Sequence, residues 1–357
     1  MSRRLLFVVR AKLGDTLVSF ATVQAWRDRH PEDEITFFTR ADYARLLAGE
    51  PGIRVVGFER RLTMFARALA WRLSRPAFDA LLVLWGFGRP IERLARLVRA
   101  RRKLFVDGRF PDAFDAWPPP ATFDTFESRA APAWRVARLL DAELPLPQRL
   151  GLARLRAERV PAALAAHAAV ALVPLADEPR RSLDAPMLAD LLAWARRQWP
   201  ERPLWVIVNP RDSGAETLRR QPLPAGAQWR TFSSLDELLA LYRQLGAWAG
   251  TDTGLYHLAA AMGIPATVFF GPTEPQKVVL PGQPAAATQR LAALGNRHCD
   301  ATRCQDPLCL RAVLAHGAGR ALPAPDVSAL LPDCLLRPLA AEDFNRFRHH
   351  ENPDPQA

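Results

Sequence analysis

Residues 250–265 read Gly-Thr-Asp-Thr-Gly-Leu-Tyr-His-Leu-Ala-Ala-Ala-Met-Gly-Ile-Pro, and a second Gly/Pro turn, Gly271-Pro272-Thr273-Glu274-Pro275, follows a short apolar run. This is the layout of a strand end, a polar turn, a helix of small residues and a buried strand. Thr251, Asp252 and Thr253 stand where helix N-caps are wanted, and Gly254 leaves the backbone approachable. Free amide N–H groups and the positive end of the helix dipole would there favour a phosphate. His257, one turn into the helix, would point into the same crevice; a histidine bonded within the fold is the other reading. Near the start of the chain, Arg10-Ala11-Lys12-Leu13-Gly14-Asp15-Thr16 leads from an apolar run into an amphipathic helix. Asp15 is either a plain N-cap or a carboxylate facing a crevice, where it could take a proton from an acceptor hydroxyl. Gly14 would let the chain turn tightly into the helix.

The elements that must position these groups alternate along the chain. Short β-forming runs at 5–9, 35–39, 53–57, 80–85 and 104–106 are separated by helical patterns at 16–29, 43–48, 62–73 and 91–101. A second series has strands at 169–174, 204–209, 229–232, 247–249 and 266–270, with helices near 185–198, 215–219, 235–245 and 253–262. Two such series predict an α/β protein of two Rossmann-like domains facing across a cleft, with the ligand at the carboxyl ends of the strands. The expected boundary lies near Val160: residues 1–160 as the acceptor-binding domain, 161–338 as the nucleotide-sugar domain. Residues 339–357 form a tail whose helical pattern at 340–350 would pack back onto the first domain. Residues 110–126 look like an irregular excursion of the first half.

The chain has 357 residues, 49% of them hydrophobic, enough to bury one large or two medium cores. No apolar run approaches the roughly 18 residues of a membrane span, and residues 5–9 are too short for a signal peptide core, so a cytoplasmic location is expected. The formal charge is +11, carried by 45 arginines and 3 lysines. Between Arg54 and Arg109 fourteen basic residues face four acidic ones. Such a face attracts phosphates on a lipid surface, a glycan or a nucleic acid, or is simply a solvated helix face. Nucleic acid is the weaker partner, because no zinc-finger spacing, aromatic RNA-binding signature or basic tail is present.

Leu13-Gly14-Asp15 opening a helix, Arg29-His30-Pro31 before Ile35-Thr36-Phe37, the block from Asp252 to Ala261, and Phe270-Gly271-Pro272-Thr273-Glu274-Pro275 together resemble glycosyltransferase family 9, the lipopolysaccharide heptosyltransferases. The resemblance spans both halves in the correct order. It implies a GT-B fold and inverting transfer of heptose from ADP-heptose to the lipopolysaccharide inner core, with no metal and no resident cofactor. By the same resemblance Asp15 is the general base and Asp252 binds sugar hydroxyls. Thr253 and Gly254 bind the diphosphate, with His257 in the same crevice. Arg181 occupies the basic donor-binding position, and Glu216 the place that holds the ribose hydroxyls, although a surface glutamate at a helix start would look the same. Lys12, Arg60 and Arg61 are expected to face an anionic, lipid-linked glycan acceptor, with the enzyme peripheral at the inner leaflet of the membrane.

The loop Pro174-Leu175-Ala176-Asp177-Glu178-Pro179-Arg180-Arg181-Ser182-Leu183 departs from the family pattern. Asp177 and Glu178 stand where hydroxyl donors are expected and would repel a diphosphate unless they pair with Arg180 or Arg181. Lys277 could reach a phosphate or be an ordinary loop lysine. Cys299, Cys304, Cys309 and Cys334 lack the C-x2-C spacing of a zinc knuckle, leaving reduced thiols, a disulfide or a structural metal open. Competing functions are a family member using another nucleotide sugar or acceptor, and a catalytically silent relative that binds nucleotide or lipid. A dinucleotide oxidoreductase is disfavoured because no G-x-G-x-x-G follows residues 5–9.

Overall fold

Leu5, Leu6, Phe7, Val8 and Val9 are all fully buried, with no polar alternation. A strand apolar on both faces belongs in the middle of a parallel sheet covered by helices on either side, and that is where β1 (Arg4–Val9) lies. The computed structural model describes residues 2–73, 77–106, 108, 110–118, 130–271, 273, 275–280, 282, 286–289 and 308–317. After β1 come α1 (Leu13–Arg29), β2 (Glu34–Arg40), α2 (Ala41–Leu47), β3 (Ile53–Phe58), α3 (Arg61–Leu73), β4 (Phe78–Trp85), α4 (Arg89–Leu97), β5 (Ala100–Phe105) and α5 (Ala131–Arg138). The five strands pair in parallel in the order β3-β2-β1-β4-β5.

Two short helices, α6 (Ala153–Ala157) and α7 (Ala162–Ala165), lead into the second series. It contains β6 (Ala169–Val173), a 3-10 turn at Pro179–Arg181, α8 (Ala185–Gln198), β7 (Leu204–Val208), α9 (Ala215–Arg219) and β8 (Ala227–Thr231). It continues through α10 (Leu235–Tyr242), β9 (Leu245–Thr251), α11 (Gly254–Ala261), β10 (Ala266–Phe269), α12 (Pro275–Val278), β11 (Ala286–Gln289) and α13 (Leu308–Gly317). These strands are also parallel, in the order β11-β10-β9-β6-β7-β8. The expected architecture of two parallel α/β sheets is therefore present. The order reverses at β1/β4 in the first sheet and at β6/β9 in the second. In open α/β sheets such reversals place a ligand crevice at the carboxyl ends of the flanking strands. Lys12–Asp15, residues 174–183 and Asp252–Gly254 all follow those strands.

One apolar cluster joins the two sheets. It runs from Leu17, Phe20 and Val23 of α1 through Val136 of α5 to Tyr242, Trp248, Tyr256 and Leu258 of the second series. A second cluster packs α8 and α13 on the far face of the second sheet, and a third packs α3 and α4 on the outer face of the first. The connection is stitched to both sides: Arg154 donates to Ala48 O and Leu46 O, while Arg156 donates to Ala261 O and Arg159 to Gly263 O. No helix among the described residues is long and apolar enough to cross a membrane.

Two helices end several residues before the sequence expectation. The helix expected over 91–101 ends at Leu97, because Val98 turns extended (φ −69, ψ 131) and Ala100–Phe105 pairs with β4 as an edge strand. Its arginines mimic the polar side of a helix but here stand on a strand with exposed Arg101 and Arg102. The helix expected to reach Leu245 stops at Tyr242, and fully buried Leu245 opens β9. Residues 340–350, Cys299, Cys304, Cys334 and the side chain of Lys277 lie outside the described residues; Cys309 is half-buried on α13.

Asp33 ties the start of β1 to the end of α1. Its buried carboxylate accepts from Arg3 N at 2.9 Å, Arg3 Nε at 3.0 Å and Trp26 Nε1 at 3.0 Å. Burial by itself raises this carboxyl, but those donors and the Arg3 charge more than offset it and hold it below its ordinary value of 3.8. A lowered folded-state pKa means stability that is complete at neutral pH and lost as pH falls below 3.8 through the folded value. Asp33→Asn is expected to cost about 2–4 kcal/mol at pH 7 by urea unfolding. The difference from the parent should shrink in acid; one that stays constant to pH 2.5 would remove the ionised carboxylate as its source.

Candidate active site

α1 and α11 meet end to end. A Cβ built on Gly14 would lie 3.1 Å from Gly254 Cα and 3.1 Å from His257 Cδ2, and one built on Gly254 would lie 3.1 Å from Gly14 N. Both glycines sit within helices, and neither has a positive φ. Gly14 is thus needed for close approach between the two halves, not for the tight turn that its place after β1 suggested. Asp15 lies in the first turn of α1, which begins two residues earlier with Lys12 at the N-cap, so it is not the cap. Its carboxylate sits close enough to Tyr43 on α2 to influence that hydroxyl.

The α11 end is buried: Thr251, Asp252, Thr253 and His257 are all under a tenth exposed. Thr253 is the N-cap in an extended conformation (φ −147, ψ 159), and its side chain makes no cap hydrogen bond. Gly250 in β9 is required because a Cβ there would collide with Val173 O of the neighbouring β6. Behind α11, Trp248 Nε1 donates to Tyr242 Oη at 3.0 Å and Tyr242 Oη donates to Leu255 O at 3.2 Å. This buried chain fixes the first turn of α11 against β9 and α10.

Arg181 reaches Asp252 across 71 residues of sequence. Its Nη1 donates to Asp252 Oδ2 at 2.9 Å and to Asp252 O at 3.1 Å, and its Nη2 donates to Glu178 Oε1 at 2.9 Å. Burial works against the guanidinium charge, but the carboxylates of Asp252 and Glu178 more than offset it, raising the pKa. Arg180 also donates to Glu178, at 2.6 Å, and Ser182 Oγ knots the loop by accepting from Ala176 N at 3.0 Å. The acidic pair is therefore partnered. Glu178 is held by both arginines, and Asp177 faces Lys12 of the first half at 3.2 Å, with both of those side chains mostly exposed.

The remaining sequence candidates lie further out. Glu216 is exposed at the start of α9 and paired with Arg220 one turn on. Arg60 and Arg61 are exposed beyond the carboxyl end of β3, on the cleft-facing end of the first sheet. Among the described residues no group of three or more His, Cys, Asp or Glu side chains is placed to hold a metal.

Sequence reasoning missed Tyr43, Asp212, Tyr242 and Tyr256. Burial raises the Tyr43 pKa, Arg40 opposes this, and Asp42, Asp177 and Asp15 add to the rise. Asp212, beyond β7, is raised by burial and then by Asp177. Tyr256 is raised far above the ordinary phenol by burial and by the Asp252 carboxylate. The sequence offers no signal for these residues beyond the scarcity of tyrosine, of which the chain has three.

The Arg181–Asp252 pair is buried on both sides, whereas the Glu178 partner of Arg180 is 38% exposed in its side chain. Removing one member of a buried pair strands the other, so Arg181→Met is expected to destabilise by about 3–5 kcal/mol in urea unfolding. Arg180→Met should cost clearly less, and equal losses would show that burial of Asp252 is not what matters.

Residues 231–310 match the model of glycosyltransferase family 9 (heptosyltransferase), a span that contains α10, β9, α11 and β10. No curated protein matches the chain. Among solved structures, the chain is similar to the glycosyl transferase family 9 protein from Veillonella parvula DSM 2008, with TM-score 0.64 and 14% identity over 82% of this chain and 87% of that one. It is also similar to E. coli heptosyltransferase WaaC, solved with ADP, with TM-score 0.62 and 17% identity over 89% and 100% of the two chains. A third likeness is to E. coli ADP-heptose lps heptosyltransferase II, with TM-score 0.61 and 17% identity over 89% and 99%. These likenesses fix the fold as GT-B, the arrangement expected from the sequence. The segment that matches family 9 (heptosyltransferase) supplies the very helix end and carboxylate around which the cleft is built, within a fold shared with heptosyltransferases of solved structure.

Proposed function

We propose that the chain moves heptose from ADP-heptose to a hydroxyl of the lipopolysaccharide inner core, inverting the anomeric carbon. The observation that carries this reading is the end-to-end approach of α1 and α11 at Gly14 and Gly254. It brings the first turn of the helix that carries Asp15 against the amide-bearing helix end of the other half. The acceptor O–H gives its proton to Asp15 as its oxygen attacks the anomeric carbon, and the bond to the diphosphate breaks on the opposite side. The electron pair leaves with the diphosphate, whose growing charge meets the N–H groups at Thr253 and Gly254.

Residues 1–160 would bind the acceptor and residues 161–338 the donor. Asp252, held and oriented by Arg181, would take sugar hydroxyls; Arg181 keeps its Nε–H without a hydrogen-bond partner among the described residues, leaving one donor for a phosphate oxygen. His257 lines the crevice beside Gly14, and Glu216 would take the ribose hydroxyls by exchanging Arg220 for them. Lys12, Arg60 and Arg61 would meet phosphates of a lipid-linked acceptor at the inner leaflet. The ADP in the E. coli WaaC structure supports a nucleotide-sugar donor.

A second reading, a nucleotide-binding relative without turnover, draws on the fact that Arg181 and Lys12 already face Asp252, Glu178 and Asp177. A thermal-shift panel of ADP, UDP, GDP and their sugars should single out the adenine series, with about 2.7 kcal/mol of added stability at a hundred times Kd. Asp15→Asn should lower kcat by about 10²–10⁴ while leaving ADP binding intact. Unchanged turnover would remove Asp15 as the base, and ADP binding with no turnover of any donor in the parent would establish the second reading. Gly14→Ala forces the two helix ends apart by a few tenths of an ångström. Its kcat is expected to fall about tenfold or more with unfolding free energy little changed, and full activity would show that the contact is not needed for catalysis.

A further inference from the structure

α3 buries only Met64 and Ala68 against the outer face of the first sheet. On the opposite side Leu62, Ala66, Leu69 and Leu73 follow at helical spacing and form one ridge. Leu62, Leu69 and Leu73 are 80%, 47% and 77% exposed, three of the five strongly exposed large hydrophobic side chains among the described residues. The other two, Trp117 and Leu164, are not on this helix. Scattered surface leucines need no explanation, but three in line on one helix do.

The flanks of the ridge are predominantly basic, with Glu59 and Glu92 as the acidic exceptions. Arg60, Arg61, Arg67 and Arg72 are exposed, and α3 contains no acidic residue. α4 lies alongside, joined by Arg72 Nη1 donating to Arg96 O at 3.4 Å; it carries exposed Arg93 and Arg96, the latter paired with Glu92, and exposed Arg99 follows its end. Two copies of this face would bring arginine rows together, so charge disfavours self-association through it. An anionic bilayer satisfies both features at once: leucines enter the headgroup boundary while arginine stems lie along it and keep their charge at the lipid phosphates.

We propose that α3 is the element by which this chain docks on an anionic membrane, with Leu62, Leu69 and Leu73 inserted and Arg67 and Arg72 among the headgroups. The inference rests on the lipid-linked acceptor proposed above and names the surface that would deliver it. The first residues of α3 follow the carboxyl end of β3, so docking along the helix would bring the mouth of the cleft to the lipid surface.

The test is co-sedimentation of the full chain with vesicles that carry no glycan, either phosphatidylcholine alone or phosphatidylcholine mixed with phosphatidylglycerol. Binding is expected to the mixed vesicles only. The triple variant Leu62→Gln, Leu69→Gln, Leu73→Gln should weaken it about a hundredfold or more. Arg67→Gln with Arg72→Gln should weaken it about thirtyfold, with a shallower salt dependence. ADP thermal shifts should be unchanged in both variants, showing that the fold and the donor site are intact. Failure of the parent to bind anionic vesicles, or parent-like binding by the leucine variant, overturns the proposal. So does a leucine variant that converts a dimer to a monomer in analytical ultracentrifugation, because a second copy would then cover the ridge. Vesicle binding without heptose transfer would count against the transfer reading alone, and transfer to a soluble acceptor without vesicle binding against the docking alone.

Discussion

The positive ends of two helices lie in van der Waals contact, and the rest of the molecule follows from keeping them there. Each end carries about half an elementary charge. At an effective dielectric near 20, two such ends about 5 Å apart repel by something on the order of 1 kcal/mol. Glycine at positions 14 and 254 removes the steric obstacle but not this repulsion. The shared apolar cluster supplies the compensating attraction, because it runs without a break from α1 into β9 and α11. Carboxylates supply the rest, with Asp15 in the first turn of one helix and Asp252 just ahead of the other. An anion seated beside the two ends would relieve the remaining repulsion, so the diphosphate binding proposed above would be a consequence of how the two halves are joined.

The second half holds its helix end rigid from several directions. Tyr242 and Trp248 fix the first turn from behind, and Arg181 locks Asp252 in front. At the other end of α11, Arg156 and Arg159 of the connecting segment donate to Ala261 O and Gly263 O, satisfying carbonyls that no further helical turn can reach. Cations at a helix C-terminus also complement its dipole. The connection between the two sheets thus grips the same helix whose opposite end faces α1. Movement of the connection would be felt at the site through α11 as a body.

The parts of this arrangement that depend on local pattern were legible in the sequence. The five-residue apolar run at 5–9 reads as a strand and proves to be a central parallel one, and the Thr-Asp-Thr-Gly turn ahead of small residues reads as the helix start that the structure contains. What the sequence hid were partnerships made across the fold. Nothing near Arg181 points to Asp252, and nothing near Lys12 points to Asp177. The raised pKa values of Tyr43 and Asp212 arise only once α2 and the segment beyond β7 come near Asp177. Gly14 was noticed for the wrong reason, since a glycine after a strand normally serves a turn. Helix ends drifted where arginines stood on an edge strand, because exposed charge fits the polar side of either element.

Recognition through backbone amides also explains how such a site can outlast most of the sequence around it. An N–H group is supplied by every residue except proline, so the helix end at Thr253 and Gly254 needs only small residues and the correct direction of approach. The side-chain demands of the proposed site would be confined to a few places: a carboxylate on α1, a carboxylate ahead of α11, and one buried cation paired with the second carboxylate. The loop after β6 illustrates the latitude this leaves. It carries Asp177 and Glu178 close to an anion-binding end, yet Arg180, Arg181 and Lys12 are placed to neutralise both. The net charge at the helix end is therefore set by pairs, and a substitution that unbalances one pair should alter phosphate affinity even where it touches no ligand.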